Sequence, residues 1–300
     1  MGAQARKEIG KEFKDERMRK ITETIIIPCF NEVTSIGSCL ESVQLQTSDD
    51  WECIVVDDGS TDATVSIIEK FCEKDSRIQL FKQAHVGPAK ARNLAASKSQ
   101  GEILVFVDAD MVLQKKYLEA LCMPILKDNV LGTFTRSEMV GNWDNPWARC
   151  WNYEYTGSKT NRRLPKNHPN TSKVFRAIKK SAFDSVDGFD DTGYNDDWTL
   201  SKKLNREAIA ADDAIVYHHN PASAAEVSLQ ASWIGKRDYK FGLLGSLWAL
   251  FRANPFFSLV LGAAKALYFM ELHYVVFKHV YNAGLTIGIL MSIKNLPKSR

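Results

Sequence analysis

No stretch of this chain reaches about 18 uninterrupted apolar residues, the length a membrane-crossing helix ordinarily needs. There is no C-x-x-C pair. The six cysteines (Cys29, Cys39, Cys53, Cys72, Cys122 and Cys150) are scattered, several within apolar segments, so buried free thiols are expected rather than disulfides or a zinc site. Residues 1–20 are mostly Lys, Arg, Glu and Asp with no apolar core, which argues against a cleaved secretory signal. No concentrated basic face accompanies the net charge of +3, so no nucleic-acid partner is expected. Internal repeats and low-complexity tracts are also missing.

Short β-branched runs alternate with segments of helical spacing. Thr24–Pro28 reads as a strand, and Val33, Ile36, Leu40 and Val43 as a helix face. Cys53–Val56 and Ile78–Phe81 read as further strands. Between them Val65, Ile68, Phe71 and Cys72 form a helical stripe that Thr61 or Asp62 can cap. Gly87-Pro88 opens another helix, Glu102–Val107 is a strand, and 115–126 a helix. Residues 136–172 show no clear period and read as a long functional loop. A strand (Val174–Ile178), a helix near Asp197–Arg206 and a strand (Ala214–Tyr217) follow. This order predicts an α/β fold with a mainly parallel sheet flanked by helices, whose ligands gather at the carboxyl ends of the strands.

Asp108 and Asp110 follow the apolar run Leu104–Val107, and strand alternation would set them on one side of the backbone. Two hard oxygen ligands there make an incomplete site for Mn²⁺ or Mg²⁺, which waters and phosphate oxygens usually complete. Read alone, the same residues could be a strand ending in a polar turn.

Further segments alter that balance: Ile25–Glu32, Val55–Asp62, Gly87–Asn93, Val107–Asp110, Val186–Asp190 and Asp196-Asp197-Trp198. In this order the chain resembles family 2 glycosyltransferases of the GT-A fold over roughly residues 22–235. Dolichyl-phosphate-sugar synthases and cellulose-synthase-like transferases are the membrane-associated members it looks like. The resemblance implies a nucleoside site at Pro28, Phe30, Asn31 and Glu32, and at Asp57 with Asp58 as a second candidate. Carboxylates suit ribose hydroxyls (Glu32) and a base N–H (Asp57). Lys90 and Arg92 would reach diphosphate oxygens, with a solvated helix face as the alternative for Lys90. Asp108-Ala109-Asp110 would bridge the cation to the donor. Val112, where some relatives carry a third ligand, cannot ligate, which leaves water or His218. Asp197 aligns with the catalytic base of an inverting transfer, Asp196 is its reserve, and Thr199 stands where relatives carry another Asp. Gln230 and Trp233 match a Gln-x-x-Arg-Trp motif of processive relatives without its Arg.

From Phe241 onward Arg252, Lys265, Lys278, Lys294, Lys298 and Arg300 face a single acid, Glu271. Such a tail suits an anionic membrane surface. The best spanning candidate, 253–277, would need Lys265 and Glu271 to pair with each other or to face protein. Trp233, Lys236, Arg237, Tyr239, Lys240 and Trp248 read as an interfacial belt ahead of it. The expected organisation is a charged arm (1–20), a GT-A domain (21–235) and interfacial or transmembrane helices (236–300). The expected activity is transfer of a hexose from a UDP- or GDP-linked sugar to a lipid-linked saccharide or polyprenyl phosphate. The protein would be membrane-associated with its catalytic domain facing the cytoplasm. The rival readings are a sugar-nucleotide-forming nucleotidyltransferase and a noncatalytic nucleotide-binding membrane scaffold.

Overall fold

The structure, a computed structural model, describes residues 22–293 except 166, 193–195 and 238. The charged arm, and Lys294, Lys298 and Arg300 of the tail, lie outside the described residues. The first half runs β1 (Glu23–Cys29), α1 (Ile36–Gln44), β2 (Trp51–Asp57), α2 (Thr64–Lys74), β3 (Ile78–Lys82), α3 (Pro88–Lys98) and β4 (Ile103–Phe106). These four strands are parallel in the order β3-β2-β1-β4, with Ile26 opposite Ile54 and Phe106. Both faces are covered, which is why β1, β2 and β4 are apolar runs rather than alternating ones. Ile25, Ile27 and Val55 meet Leu40 and Ile68 on one side of the sheet. Ile26, Ile54 and Phe106 meet the small alanines of α3 and Phe183 on the other.

The chain continues through β5 (Met111–Leu113), α4 (Tyr117–Lys127), β6 (Gly132–Val140), α5 (Pro146–Thr156), β7 (Thr171–Ser172), β8 (Ala177–Lys179) and α6 (Lys180–Asp184). A 3₁₀ turn (Asp196–Trp198), α7 (Thr199–Leu204) and β9 (Ala208–His218) complete the sheet. Beyond β4 it is mixed: β8 is antiparallel to β4 and β6, β9 is parallel to β6, and β5 and β7 are antiparallel to β9.

The aperiodic stretch 136–172 is not one long loop, since it holds the end of β6 and all of α5. Polar residues that find partners conceal β6. Thr133 donates to the Leu121 carbonyl at 2.7 Å, and the Thr135 hydroxyl lies 2.8 Å from that of Tyr117. For α5 the local signals are plain: Asn145 caps the amides of Trp147 and Ala148, Pro146 sits in the first turn, and Gly157 ends the helix at φ 65°. The six cysteines are free, and all but Cys72 are buried, as expected.

Four helices follow: α8 (Ala224–Gly235), α9 (Gly242–Arg252), α10 (Pro255–Phe269) and α11 (His273–Ile293). The stretch 253–277 is not a single helix, because Met270 takes a left-handed conformation (φ 57°) that ends α10. Lys265 and Glu271 do not pair with each other. Lys265 reaches Glu154 of α5 at 2.9 Å, joined there by Lys278 at 2.7 Å and by the Tyr274 hydroxyl. Glu271 pairs with Arg149 of α5 at 2.7 Å. Both tail charges therefore face protein. Among the described residues α11 is long and apolar enough to cross a membrane, whereas α9 and α10 qualify only as a pair bent by 63°. A third core cluster joins Trp151 and Tyr153 of α5 to Val227 and Ile234 of α8 and to Tyr274 and Phe277 of α11.

Candidate active site

Asp108, Ala109 and Asp110 line one cavity of about 220 Å³ at the carboxyl ends of β1, β2 and β4. Strand alternation does not bring them there. β4 ends at Phe106, and the two carboxylates sit in a tight turn closed by the Met111 amide donating to the Asp108 carbonyl at 3.0 Å. Pro28, Phe30 and Glu32 at the end of β1 form the facing wall, where Phe30 stacks on His85 with ring centres 4.1 Å apart.

Asn31 and Asp57 do not line the cavity. Asn31, at φ 56°, ties two loops together by accepting the Thr61 amide at 2.8 Å and donating its own amide to the Ser60 hydroxyl at 2.9 Å. Asp57 is buried and caps the turn after β2, taking the amides of Gly59 and Ser60, each at 3.2 Å. Asp58 is the one that faces the cavity. Its orientation is set by Gln83 at 2.7 Å, by the Val86 and Gly87 amides, each at 2.9 Å, and by His85 at 2.9 Å. Lys90 is exposed, 3.7 Å from the Asp191 carboxylate, and does not line the cavity. Arg92, two residues on, lies on the buried side of the same helix.

Arg92 is the hub of the site. Its guanidinium contacts Asp108 at 3.0 Å, Asp196 at 3.3 Å and Asp197 at 2.9 Å. Arg176 takes the other Asp108 oxygen at 2.9 Å and also holds Glu138 at 3.2 Å. Arg176 and Glu138 were not singled out from the sequence. A usable signal existed, namely one arginine inside the apolar run Val174–Ile178. Burial works against the charge on Asp108, but Arg176 and Arg92 outweigh it and hold that carboxyl well below its usual range. Burial likewise opposes ionisation of Asp110, and His218 overcomes it through a 2.9 Å contact from Nε2, so this carboxyl is also lowered. Asp196 goes the other way. Burial, with Asp197 beside it, pushes it up to about 7 despite the pull of Arg92. The two carboxylates of the 3₁₀ turn are thus unequal: the Asp196 side chain is 5% exposed and that of Asp197 40%.

His218 ends β9 and keeps a buried Nδ1 with no hydrogen-bond partner among the described residues. Val112 pairs with Tyr217 across the sheet and offers no ligand. Among the described residues no group of three or more His, Cys, Asp or Glu side chains is gathered as a metal site. Gln230 and Trp233 of α8 close the cavity, so Trp233 belongs to the site rather than to an outer belt.

The model of the family described as "Glycosyl transferase family 2" matches residues 24–187, more than half of the chain. The chain belongs to that family. An uncharacterized glycosyltransferase of Rickettsia bellii is 40% identical over 109 residues, 34% of this chain and 16% of that protein. A cholesterol galactosyltransferase of Borreliella burgdorferi is 31% identical over 115 residues, 38% of this chain and 32% of that one. The chain thus spans a minor part of these relatives. Among solved structures, the mannosyltransferase PcManGT from Pyrobaculum calidifontis, in complex with GDP-Man and Mn²⁺, superposes with a TM-score of 0.58. It is 22% identical, over 91% of this chain and 87% of that one. The fold of this family 2 chain is GT-A.

Proposed function

We propose that this family 2 chain is a metal-dependent inverting glycosyltransferase. It moves a hexose from a nucleoside-diphosphate sugar to a lipid-linked saccharide or polyprenyl phosphate at the cytoplasmic face of a membrane. In this reading residues 21–235 are the catalytic domain and 236–300 the membrane-apposed part. One observation carries the proposal: a single cavity joins an aromatic and acidic wall (Phe30, Asp58), the Asp108–Asp110 turn and the Asp196-Asp197 pair.

The wall suits a nucleoside. Phe30 offers a ring face and Glu32 an acceptor to ribose, while Asp58, its oxygens taken by Gln83, Val86, Gly87 and His85, fixes the shape of the wall. Arg92, the one guanidinium lining the cavity among the described residues, is held by three aspartates and would meet the diphosphate. Two groups would hold a divalent cation: Asp110 and His218, 2.9 Å apart, would supply an oxygen and a nitrogen ligand suited to Mn²⁺, while both oxygens of Asp108 are taken by Arg92 and Arg176. When bound, the cation neutralises charge on the departing nucleotide. Asp197 is the base. It is the more exposed carboxylate of its pair, and Arg92 fixes one oxygen, which leaves the other for an acceptor hydroxyl. Asp196 stays behind it as a positioning group. The GDP-Man and Mn²⁺ bound to the Pyrobaculum mannosyltransferase support this donor and cation. The lipid named as acceptor of the Borreliella relative supports a membrane-borne acceptor.

Titration of GDP and UDP with and without Mn²⁺ tests the reading. One nucleotide should bind more tightly with the cation. Asp110→Ala should abolish that gain and the transfer while leaving the melting curve nearly unchanged. Equal nucleotide affinity with and without Mn²⁺ in both proteins would reject metal dependence.

A further inference from the structure

A second and larger cavity, about 810 Å³, adjoins the 3₁₀ turn that carries Asp197. The turn is shared between the two cavities. Asp196 and Asp197 line the smaller one, and the next two residues, Trp198 and Thr199, line the larger. Trp198 is 49% exposed, unusual for an indole that has a core within reach. The Lys173 ammonium lies 5.4 Å from its ring centre. Lys202 and Arg206 line the same cavity, and among the described residues Glu207 is its only acid. Its remaining lining is short hydroxyl and amide side chains, among them Ser201 and Asn205.

We propose that this cavity holds the sugar chain of the acceptor, and that it selects chains bearing anionic groups. An exposed indole supplies a flat apolar platform for the C–H face of a pyranose, and short hydroxyl and amide groups match its rim of hydroxyls. Three cations against one acid favour a carboxylate or phosphate substituent. Position gives the platform its meaning. Trp198 directly follows Asp197 in the 3₁₀ turn, so a chain stacked on its ring lies against the turn that carries the base. The inference rests on Asp197 being the base.

Calorimetry on the full chain, without nucleotide, tests it with tetragalacturonate as the acidic probe and maltotetraose as the neutral one. Tetragalacturonate should bind more tightly. Trp198→Ala should weaken both saccharides, by about tenfold for loss of an aromatic anchor. The double substitution Lys202→Gln and Arg206→Gln should weaken the acidic chain alone. Nucleoside-diphosphate affinity should stay within about twofold of wild type in both variants, since neither touches the smaller cavity. No saccharide binding by the wild type, unchanged binding after Trp198→Ala, or equal binding of the two probes would each overturn the proposal. Saccharide binding that follows this pattern in a chain that binds no nucleotide would support the groove and refute the donor site instead.

Discussion

Asp196 and Asp197 are neighbours in sequence with opposite surroundings, one packed behind Arg92 and the other open to the cavity. General-base catalysis needs the open one. Asp197→Asn keeps the shape and removes the basic oxygen, so transfer should fall by about 10²-fold or more. Donor affinity should hold, as single-turnover and binding measurements on the same preparation would show. Equal loss of both would make Asp197 a structural partner of Arg92. A different carboxylate adds its own contribution to the pH dependence of folding. Glu23 is 5% exposed at the start of β1, and burial pushes its carboxyl to about 7 from an ordinary 4.5, with Asp50 adding to the rise and Ser48 opposing it. The folded chain then keeps a proton that the unfolded chain releases between those values. The sign follows: stability is greatest below about pH 4.5 on this account and declines as pH rises to about 7, by about 3 kcal/mol. Glu23→Gln removes the titration. Denaturant melts of the two proteins should diverge from pH 4.5 to 7, with the variant the more stable at pH 8; parallel curves would exclude Glu23 as the source.

At the scale of elements, α8 and α11 are held unusually close by small residues. A methyl group added at Gly288 would stand 1.9 Å from the Ser232 carbonyl oxygen, and one at Gly284 2.3 Å from that of Ser228. Both obstacles are backbone, so neither yields by a rotamer change. Gly288→Ala should force the helices apart at a cost of about 1–3 kcal/mol. It should also impair transfer, because α8 carries Gln230 and Trp233 into the cavity. A melting shift measured beside donor affinity and turnover checks this. An Ala variant with wild-type stability and rate would show that the crossing has slack. Glu154 of α5 supports the same assembly from the other side, through Lys265, Lys278 and Tyr274. These partners explain why charged residues persist in an otherwise apolar tail: they fasten the tail helices to α5.

The whole molecule presents an apolar surface on α9 and α10 and around their junction with α11. Leu244 is 73% exposed, Phe256 70%, Leu267 76% and Leu272 81%. A surface of this extent needs a cover. Arg237, Lys240 and Arg252 lie in the segments beside it and suit anionic headgroups. If the cover is a bilayer, burial of apolar area holds the protein there and salt does not screen it. The expected outcome is a chain that stays in the membrane fraction through a molar salt wash and leaves with detergent. Replacing Leu244, Phe256 and Leu267 together by Asp should move it to the soluble fraction with its melting temperature preserved. Release of the wild type by salt alone would leave the attachment purely electrostatic. Deleting the tail is the poorer experiment, since it would uncover Val227 and Ile234 of α8 and Trp151 of α5.

Much of the fold is legible in the sequence. The Asp108–Asp110 and Asp196–Asp197 pairs are pointed out by the resemblance to the family, whereas the parallel half of the sheet and the turns at its strand ends follow from local signals: β-branched runs buried on both faces, capping residues and turn glycines. Those patterns are set by neighbours a few residues away, and the chain carries them in its order. What only the tertiary structure decided depends on partners far apart in sequence. Asp58 rather than Asp57 faces the cavity because the loop after β3 reaches back to orient it. Arg92 turns inward because carboxylates 16 and 104 residues away converge on it. β6 is hidden in the sequence because Thr133 and Thr135 are polar in pattern, and only their partners on α4 make them core. Lys265 and Glu271, adjacent to one apolar run and suggestive of each other, were separated by the left-handed turn at Met270 and taken up by Glu154 and Arg149. Charge and hydrogen-bond partners are chosen by proximity in space, and the linear pattern of residues does not encode proximity across more than a turn or two.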